Sequence, residues 1–458
     1  MGRIASRAWV IWFLIAVLLG GTGLFVYEYC AGGEGWALSA GSPHVYDENG
    51  KICCTVTDRD GLLLMDRGDT ITYTPDETLR TAVLHWIGDR QGNIQAGAIS
   101  CYERQMADFD PVSGLYHYGD SRPQVTLTLS AELQKAALAA MGDYVGTLAV
   151  YNYQTGEILC AVTTPTFDPE VPPDLSADTL GKYEGVYLNR FLQSVYIPGS
   201  IFKVVTTAAA LEELEDILQL SFTCTGEVGF GVDRVRCERV HGTQSFEQAM
   251  AVSCNCVYAQ VAMLLGAEKL QDYADRFGIA RRVSFDGITT AAGHYSFAGE
   301  ADVNVAWSAI GQHLDQVNPC AYLSFIGAIA NGGVTIDPHV VRGISRGEES
   351  LFQGSATGGE RIMSEKTAQL LHRFMRNNVV SYYGVENFPD LQICAKTGTG
   401  QVDSGKKPNA MFTGFIDDPQ LPLAFIVCIE DGGYGRKVCI PVISRVLEAC
   451  MEWAALPS

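Results

Sequence analysis

Residues 8–27 (AWVIWFLIAVLLGGTGLFVY) form a run of twenty without one charged side chain. At 1.5 Å per residue such a helix spans about 30 Å, the thickness of a bilayer's hydrocarbon core. Arg3 and Arg7 precede the run and the first acidic residue is Glu28. That asymmetry predicts a cytoplasmic tip and an extracytoplasmic remainder. Trp9, Trp12, Tyr27 and Tyr29 lie near the two ends, where amphipathic rings favour the interface. A cleaved signal peptide has a shorter apolar core of about 7–15 residues, and the small-residue string at 37–40 lies well beyond this one. The chain therefore reads as anchored by a single span with its bulk outside.

Composition narrows what that bulk can be. At roughly 100–200 residues per domain, 458 residues suggest two to four units. Hydrophobic residues at 47% against 18% charged suit a packed core and exclude disorder as the main state. The formal net charge is −20, with no basic stripe beyond the N-terminus, which excludes a nucleic-acid binder. Fourteen cysteines carry no repeated CxxC and no Cys/His cluster at zinc-finger spacing, so no metal ligand is expected. Cys224 and Cys237 flank a Gly-rich turn and form a candidate disulfide. Most other cysteines read as buried thiols.

After the anchor and tip (1–29), residues 30–123 read as a small α+β module without chemistry of its own. Strand-like runs at 52–56 and 61–64 are separated by the turn Asp58-Arg59-Asp60-Gly61. From about 124 the texture changes. Residues 125–129 alternate as a strand, and Ser130 is placed to cap a helix running to Met141. Residues 146–153 and 158–163 then read as a hairpin turning at Gln154-Thr-Gly156. With no repeat or linker beyond it, 124–458 reads as one α+β domain, an antiparallel sheet with several buried helices.

Three short motifs follow in order. In Pro198-Gly-Ser-Ile-Phe-Lys203 the sequence places Ser200 in the first turn of a helix and Lys203 one turn on, on the same face. The helix beyond is apolar or small, so Lys203 should be poorly hydrated, which lowers an amine's pKa and lets it take the serine proton. The N-terminal dipole suits a developing oxyanion. Taken alone, S-x-x-K arises by chance about once in a chain this long, and a serine there is usually only a cap. Ser253-Cys-Asn255 sits between two helical stretches, where a hydroxyl could relay a proton and an amide hold a substrate carbonyl. Lys396-Thr-Gly-Thr399 lies on a strand beside two more, 411–416 and Leu423–Ile429. Alternation puts Lys396 and Gly398 on one face and Thr397 and Thr399 on the other. Gly398 would let a ligand backbone approach, and an edge strand there could pair with an extended peptide.

Ser200, Ser253 and Lys396 are spaced 53 and 143 residues apart. S-x-x-K, S-x-N and K-T-G in that order are the signature of penicillin-binding proteins and related β-lactamases. With the anchor, the chain resembles a class B penicillin-binding protein, a monofunctional transpeptidase of wall synthesis. Asn189-Arg190, His241-Gly242, Ile310-Gly-Gln312, Ala330-Asn-Gly-Gly333 and residues 409–415 resemble further strings of that family. Cys254, Ala395 and Gly400 depart from its commoner residues without removing a functional group.

The resemblance implies a β-lactamase-like α+β domain over 124–458 and a pedestal or dimerisation-like module over 30–123. It implies Ser200 as the acylated nucleophile, Lys203 as its base, Ser253 as a proton relay and Asn255 as a donor-peptide ligand. Lys396, Thr397 and Thr399 would read the donor's carboxylate, with Gly398 completing that strand, and the N–H groups of Ser200 and Thr399 would form an oxyanion hole. It implies D-Ala-D-Ala transpeptidation of peptidoglycan stem peptides, covalent capture of β-lactams, no cofactor, and a membrane glycosyltransferase as partner. A β-lactamase, a β-lactam sensor and an inactive scaffold share the fold. The nearest approach to a class A β-lactamase base string is Glu300-Ala-Asp-Val-Asn304, with valine for leucine. Residues 400–407 imitate a phosphate-binding loop, but Lys407 stands where Ser or Thr is needed and Pro408 blocks the helix. No HExxH occurs, and of the eight histidines only His241 lies close before a motif, with packing its expected role.

Overall fold

A computed structural model describes residues 2–37, 53–68, 70–106, 108–110, 115–117, 122–402 and 405–455. Most of the 37–40 string and residues 403 and 404 of the phosphate-loop look-alike lie outside the described residues, as do parts of the 30–123 region.

The apolar run lies in one helix, α1 (Gly2–Ala37), longer than the uncharged run because nothing before Ala37 breaks it. Its stretch Arg7–Gly33 is long and apolar enough to cross a membrane, and its most apolar part packs against nothing else among the described residues.

The centre of the molecule is a five-stranded antiparallel sheet. Its strands are β1 (Gly146–Asn152), β2 (Ile158–Thr164), β3 (Ile393–Gly400), β4 (Asn409–Ile416) and β5 (Leu423–Ile429), in the order β3-β4-β5-β1-β2. The hairpins read from the sequence are present, with Lys396 opposite Thr413. Every residue of β5 is buried, because helices cover both faces. Leu423, Phe425 and Val427 enter one hydrophobic cluster and Ala424, Ile426 and Cys428 the other, the period of two expected of a strand between two cores. Helix α2 (Ala131–Met141), capped by Ser130 as expected, lies on the first face. The opposite core contains α3 (Lys203–Glu213), α4 (Asn255–Leu265) and α5 (Pro319–Ala330). Helix α6 (Gly435–Ala454) joins α2 on the first face. β3 is left as a free edge.

A second, six-stranded sheet draws strands from both sides of residue 123. Gln124–Leu127 pairs parallel to Cys54–Thr57 and antiparallel to Val341–Arg346. The Asp58 turn between the first two strands forms because Asp58 Oδ1 accepts the N–H groups of Asp60 and Leu62. Helix Glu77–Ile87 fastens this region to the central sheet, Trp86 Nε1 donating to Ala161 O at 2.7 Å. The Cys224–Cys237 disulfide is not formed, and all fourteen cysteines are free thiols.

Candidate active site

The nucleophile motif is a single 3₁₀ turn, Gly199–Ile201, and the α-helix starts only at Lys203. The sequence placed Ser200 inside the helix. The difference comes from Gly199, which takes φ +53° and lies so close to β3 that a Cβ there would stand 2.2 Å from Thr399 O. With Gly199 left-handed and pressed against β3, Ser200 and Ile201 complete a 3₁₀ turn before the α-helix begins. Gly199 N–H donates to Gly311 O and Tyr322 OH donates to Ile201 O, both at 2.7 Å, which fixes the turn.

Ser253 occupies the turn between helix Phe246–Ala251 and α4 with φ +55°. That conformation is costly for a residue with a Cβ and is kept where surrounding contacts hold it. Here two amines do. Ser253 Oγ accepts from Lys203 Nζ at 3.1 Å and from Lys396 Nζ at 3.0 Å. Lys203 Nζ also donates to Ser253 O and to Asn255 Oδ1, each at 2.7 Å. Its three protons are thus committed away from Ser200, whose Oγ has no hydrogen-bond partner among the described residues and opens on the cleft. Lys203 must lose a proton before its lone pair can serve Ser200.

Both amines are fully buried. Desolvation lowers the Lys203 pKa to about 8 against a pull upward from nearby Cys237, Cys254 and Glu238. Lys396 is pushed well below its usual value by desolvation and then by the Lys203 charge. Two ammonium groups on one hydroxyl repel, so the arrangement favours one neutral amine.

On β3, Thr397 and Thr399 are half-buried and line the cleft, whereas Lys396 and Gly398 are buried on the other face. Gly398 does not face ligand. A Cβ there would stand 2.6 Å from Pro198 O, so the glycine admits the nucleophile turn itself. Thr397 N–H donates to Tyr383 OH at 3.0 Å rather than to β4. Period two therefore aims the Thr399 N–H off the same free edge, beside Gly199 and Ser200. Thr399 O accepts from Gln312 Nε2 at 3.0 Å. Tyr383 gave no sequence signal, and Gln312 appeared only within the Ile310-Gly-Gln312 string. Asn189-Arg190 acts from outside the cleft, Arg190 Nε meeting Glu430 at 2.8 Å.

The cleft holds about 820 Å³. Besides Ser200, Ser253, Asn255, Thr397 and Thr399, its walls carry Arg234, Arg236, Arg436 and Lys437 against Asp233 and Glu238. A locally positive wall in a chain of net charge −20 suits an anionic substrate. At this wall, which Cys237 itself lines, the fold gathers Cys224, Cys237, His241 and Cys254, with ligand atoms within 4.8 Å of one another. The sequence spacing suggested no such cluster, and His241 faces sulfur rather than the cleft.

Comparison with known proteins identifies the family. The family model "Penicillin binding protein transpeptidase domain" matches residues 146–448. Peptidoglycan D,D-transpeptidase PbpA of Mycobacterium tuberculosis is 27% identical over 393 residues, covering 77% of this chain and 76% of its own. Stage V sporulation protein D of Bacillus subtilis is 29% identical over 345 residues, covering 71% and 51%. Among solved structures, the D,D-transpeptidase domain of a peptidoglycan glycosyltransferase from Eggerthella lenta superposes with TM-score 0.75 at 24% identity, covering 88% of this chain and 99% of that one. Penicillin-binding protein A from M. tuberculosis, solved as an acyl-enzyme complex, gives TM-score 0.71 at 22% identity, covering 87% and 98%. The chain belongs to the penicillin-binding protein transpeptidase family and is a class B penicillin-binding protein.

Proposed function

We propose that this protein cross-links peptidoglycan stem peptides, with Ser200 as the residue that is acylated. The observation that carries the assignment of roles is the pair of buried amines on Ser253 Oγ, directly behind a serine held free in a cleft. Neutral Lys203 takes the Ser200 proton as Oγ attacks the carbonyl of the penultimate D-Ala. The N–H groups of Ser200 and Thr399 hold the oxyanion. The tetrahedral intermediate collapses by breaking the bond to the terminal D-Ala, whose nitrogen receives a proton through Ser253. An amine from a second stem peptide then attacks the ester, gives up its proton by the same route and releases Ser200. The hydroxyls of Thr397 and Thr399, aided by the positive wall, read the donor's terminal carboxylate, Asn255 holds its amide, and buried Lys396 holds Ser253 Oγ in place. β-Lactams acylate the same serine.

Charge flanking α1 supports a cytoplasmic N-terminus and an extracytoplasmic transpeptidase domain. Residues 30–123 act as a pedestal for the domain over 124–458, since the described part of the region adds strands and one docked helix but no cleft residue. A membrane glycosyltransferase is the proposed partner, supplying polymer to cross-link. A penicillin-binding protein of Helicobacter pylori, PBP2, has been solved in complex with MreC.

The test is transfer. Full-length protein in detergent, given a thioester analogue of the donor peptide and a fluorescent D-amino acid as acceptor, should form the amide product, and Ser200→Ala should not. Hydrolysis without amide formation, or rapid drug turnover in place of a lasting penicilloyl adduct, would point to a β-lactamase.

A further inference from the structure

Four ligand side chains come from four places in the fold. Cys224 ends strand Ser221–Cys224, Cys237 follows strand Asp233–Arg236, His241 precedes strand Gly242–Ser245, and Cys254 caps α4. His241 Nδ1 lies 3.4 Å from Cys237 Sγ and 3.6 Å from Cys224 Sγ, and the sulfurs of Cys237 and Cys254 are 3.9 Å apart. A tetrahedral zinc ion with Zn–S near 2.3 Å and Zn–N near 2.0 Å requires S···S edges of about 3.8 Å and S···N edges of about 3.5 Å. A disulfide needs about 2.05 Å. These three separations match the edges of a coordination tetrahedron and not a covalent bridge, and the other three pairs lie within 4.8 Å. Three sulfurs with one imidazole is a soft donor set suited to zinc, and none of the four residues is exposed.

We propose that Cys224, Cys237, His241 and Cys254 bind one zinc ion as a structural centre that holds the Ser253–Asn255 turn against the wall of the cleft. Cys254 lies between Ser253 and Asn255, and Cys237 directly follows Arg236, whose carbonyl accepts from Asn255 Nδ2 at 2.9 Å. The hairpin formed by Glu227–Phe230 and Asp233–Arg236 supplies part of the cleft wall. An ion shared by both segments fixes their separation, so the four ligands are positioning residues for Ser253 and Asn255. On binding, each thiol gives its proton to solvent and zinc keeps its oxidation state.

The spacing hid the site. Only Cys237 and His241, separated by three residues, are close in sequence, whereas Cys224 and Cys254 each lie thirteen residues outside that pair. Cys256, whose thiol lies against Cys224, is the neighbour left out of the tetrahedron.

The test uses the full-length protein in detergent, purified with a mild reductant and no chelator. Elemental analysis should give about one zinc per chain, and zinc K-edge absorption should show a shell of three sulfurs and one nitrogen. Cys237→Ser should lower the ratio to below about one tenth, while Cys101→Ser, at an exposed thiol elsewhere, should leave it unchanged. If Cys237→Ser fails to fold, wild-type protein treated with a mercurial should still release its zinc in step with thiol modification. The ratio is read without turnover, so it stands apart from the transpeptidase assignment. Wild-type protein that holds less than about one tenth of an equivalent after equimolar zinc is supplied would overturn the proposal. So would an intact mass two hydrogens short with Cys224 joined to Cys237.

Discussion

Acylation of Ser200 by a penicillin should speed up with pH and level off near pH 8. The cause is Lys203, whose pKa falls from 10.5 to about 8 on burial. At pH 7 an amine of that pKa is about 10% neutral, against about 0.03% for an ordinary lysine, a gain of roughly 300-fold in the form able to accept a proton. Below the midpoint the second-order rate constant should climb about tenfold per pH unit. Lys396 loses its proton more readily still, pushed down by burial and by the Lys203 charge, so the observed midpoint belongs to the pair. Stopped-flow mixing of the full-length protein with a fluorescent penicillin between pH 5.5 and 9.5 measures the profile. Lys203→Arg keeps a charge that cannot be lost and should slow acylation by about 10²- to 10⁴-fold with no rise near pH 8. A wild-type profile that is flat, or that rises only near pH 10, would refute the desolvated base.

Other consequences are open to the same material. Ser200→Ala removes a hydroxyl that holds nothing in place, so urea unfolding should shift by no more than about 0.5 kcal/mol while penicillin labelling disappears. Gly199→Ala puts a Cβ 2.2 Å from Thr399 O at φ +53°, and should cost about 2 kcal/mol or more along with most acylation. An unchanged unfolding midpoint would deny the close approach of the turn to β3. His85 is fully buried with its pKa lowered to about 4 by desolvation, its Nε2–H donating to Val186 O. Its stabilising share is complete above pH 6.5 and is lost as pH falls toward 4, by up to about 3 kcal/mol. His85→Asn should flatten that part of the stability–pH curve. Tyr383→Phe removes the partner of Thr397 N–H and Oγ1, and should weaken penicillin binding more than it slows the chemical step, read as separate constants in single-turnover kinetics.

What the chain reveals before folding follows from the range of the forces involved. Strands, hairpins and the Ser130 cap are local, so alternation and capping residues displayed β1, β2, β4, β5 and α2 almost to the residue. The three motifs were visible because catalytic groups sit at short fixed offsets, Ser200 with Lys203 and Ser253 with Asn255. Their company was not. Lys396 meets Ser253 across 143 residues, and only the motif order suggested that meeting. Gly398 looked like room for a ligand, whereas the approaching backbone is Pro198 of the chain itself. The 3₁₀ turn at Ser200 depends on the nearness of β3, a tertiary fact. Cys224 and Cys237 looked like a disulfide because sequence shows loop length, not the histidine and third cysteine that the fold inserts beside them.

Acylation of one serine in this cleft is the step on which the proposed activity depends. Full-length protein treated with benzylpenicillin and examined by intact mass and tryptic mapping tests that directly. A single lasting adduct on Ser200, within peptide 191–203 and distinguished from Ser194 by fragmentation, is the expected result. An adduct on Ser253, on Ser194 or on no residue at all would contradict it.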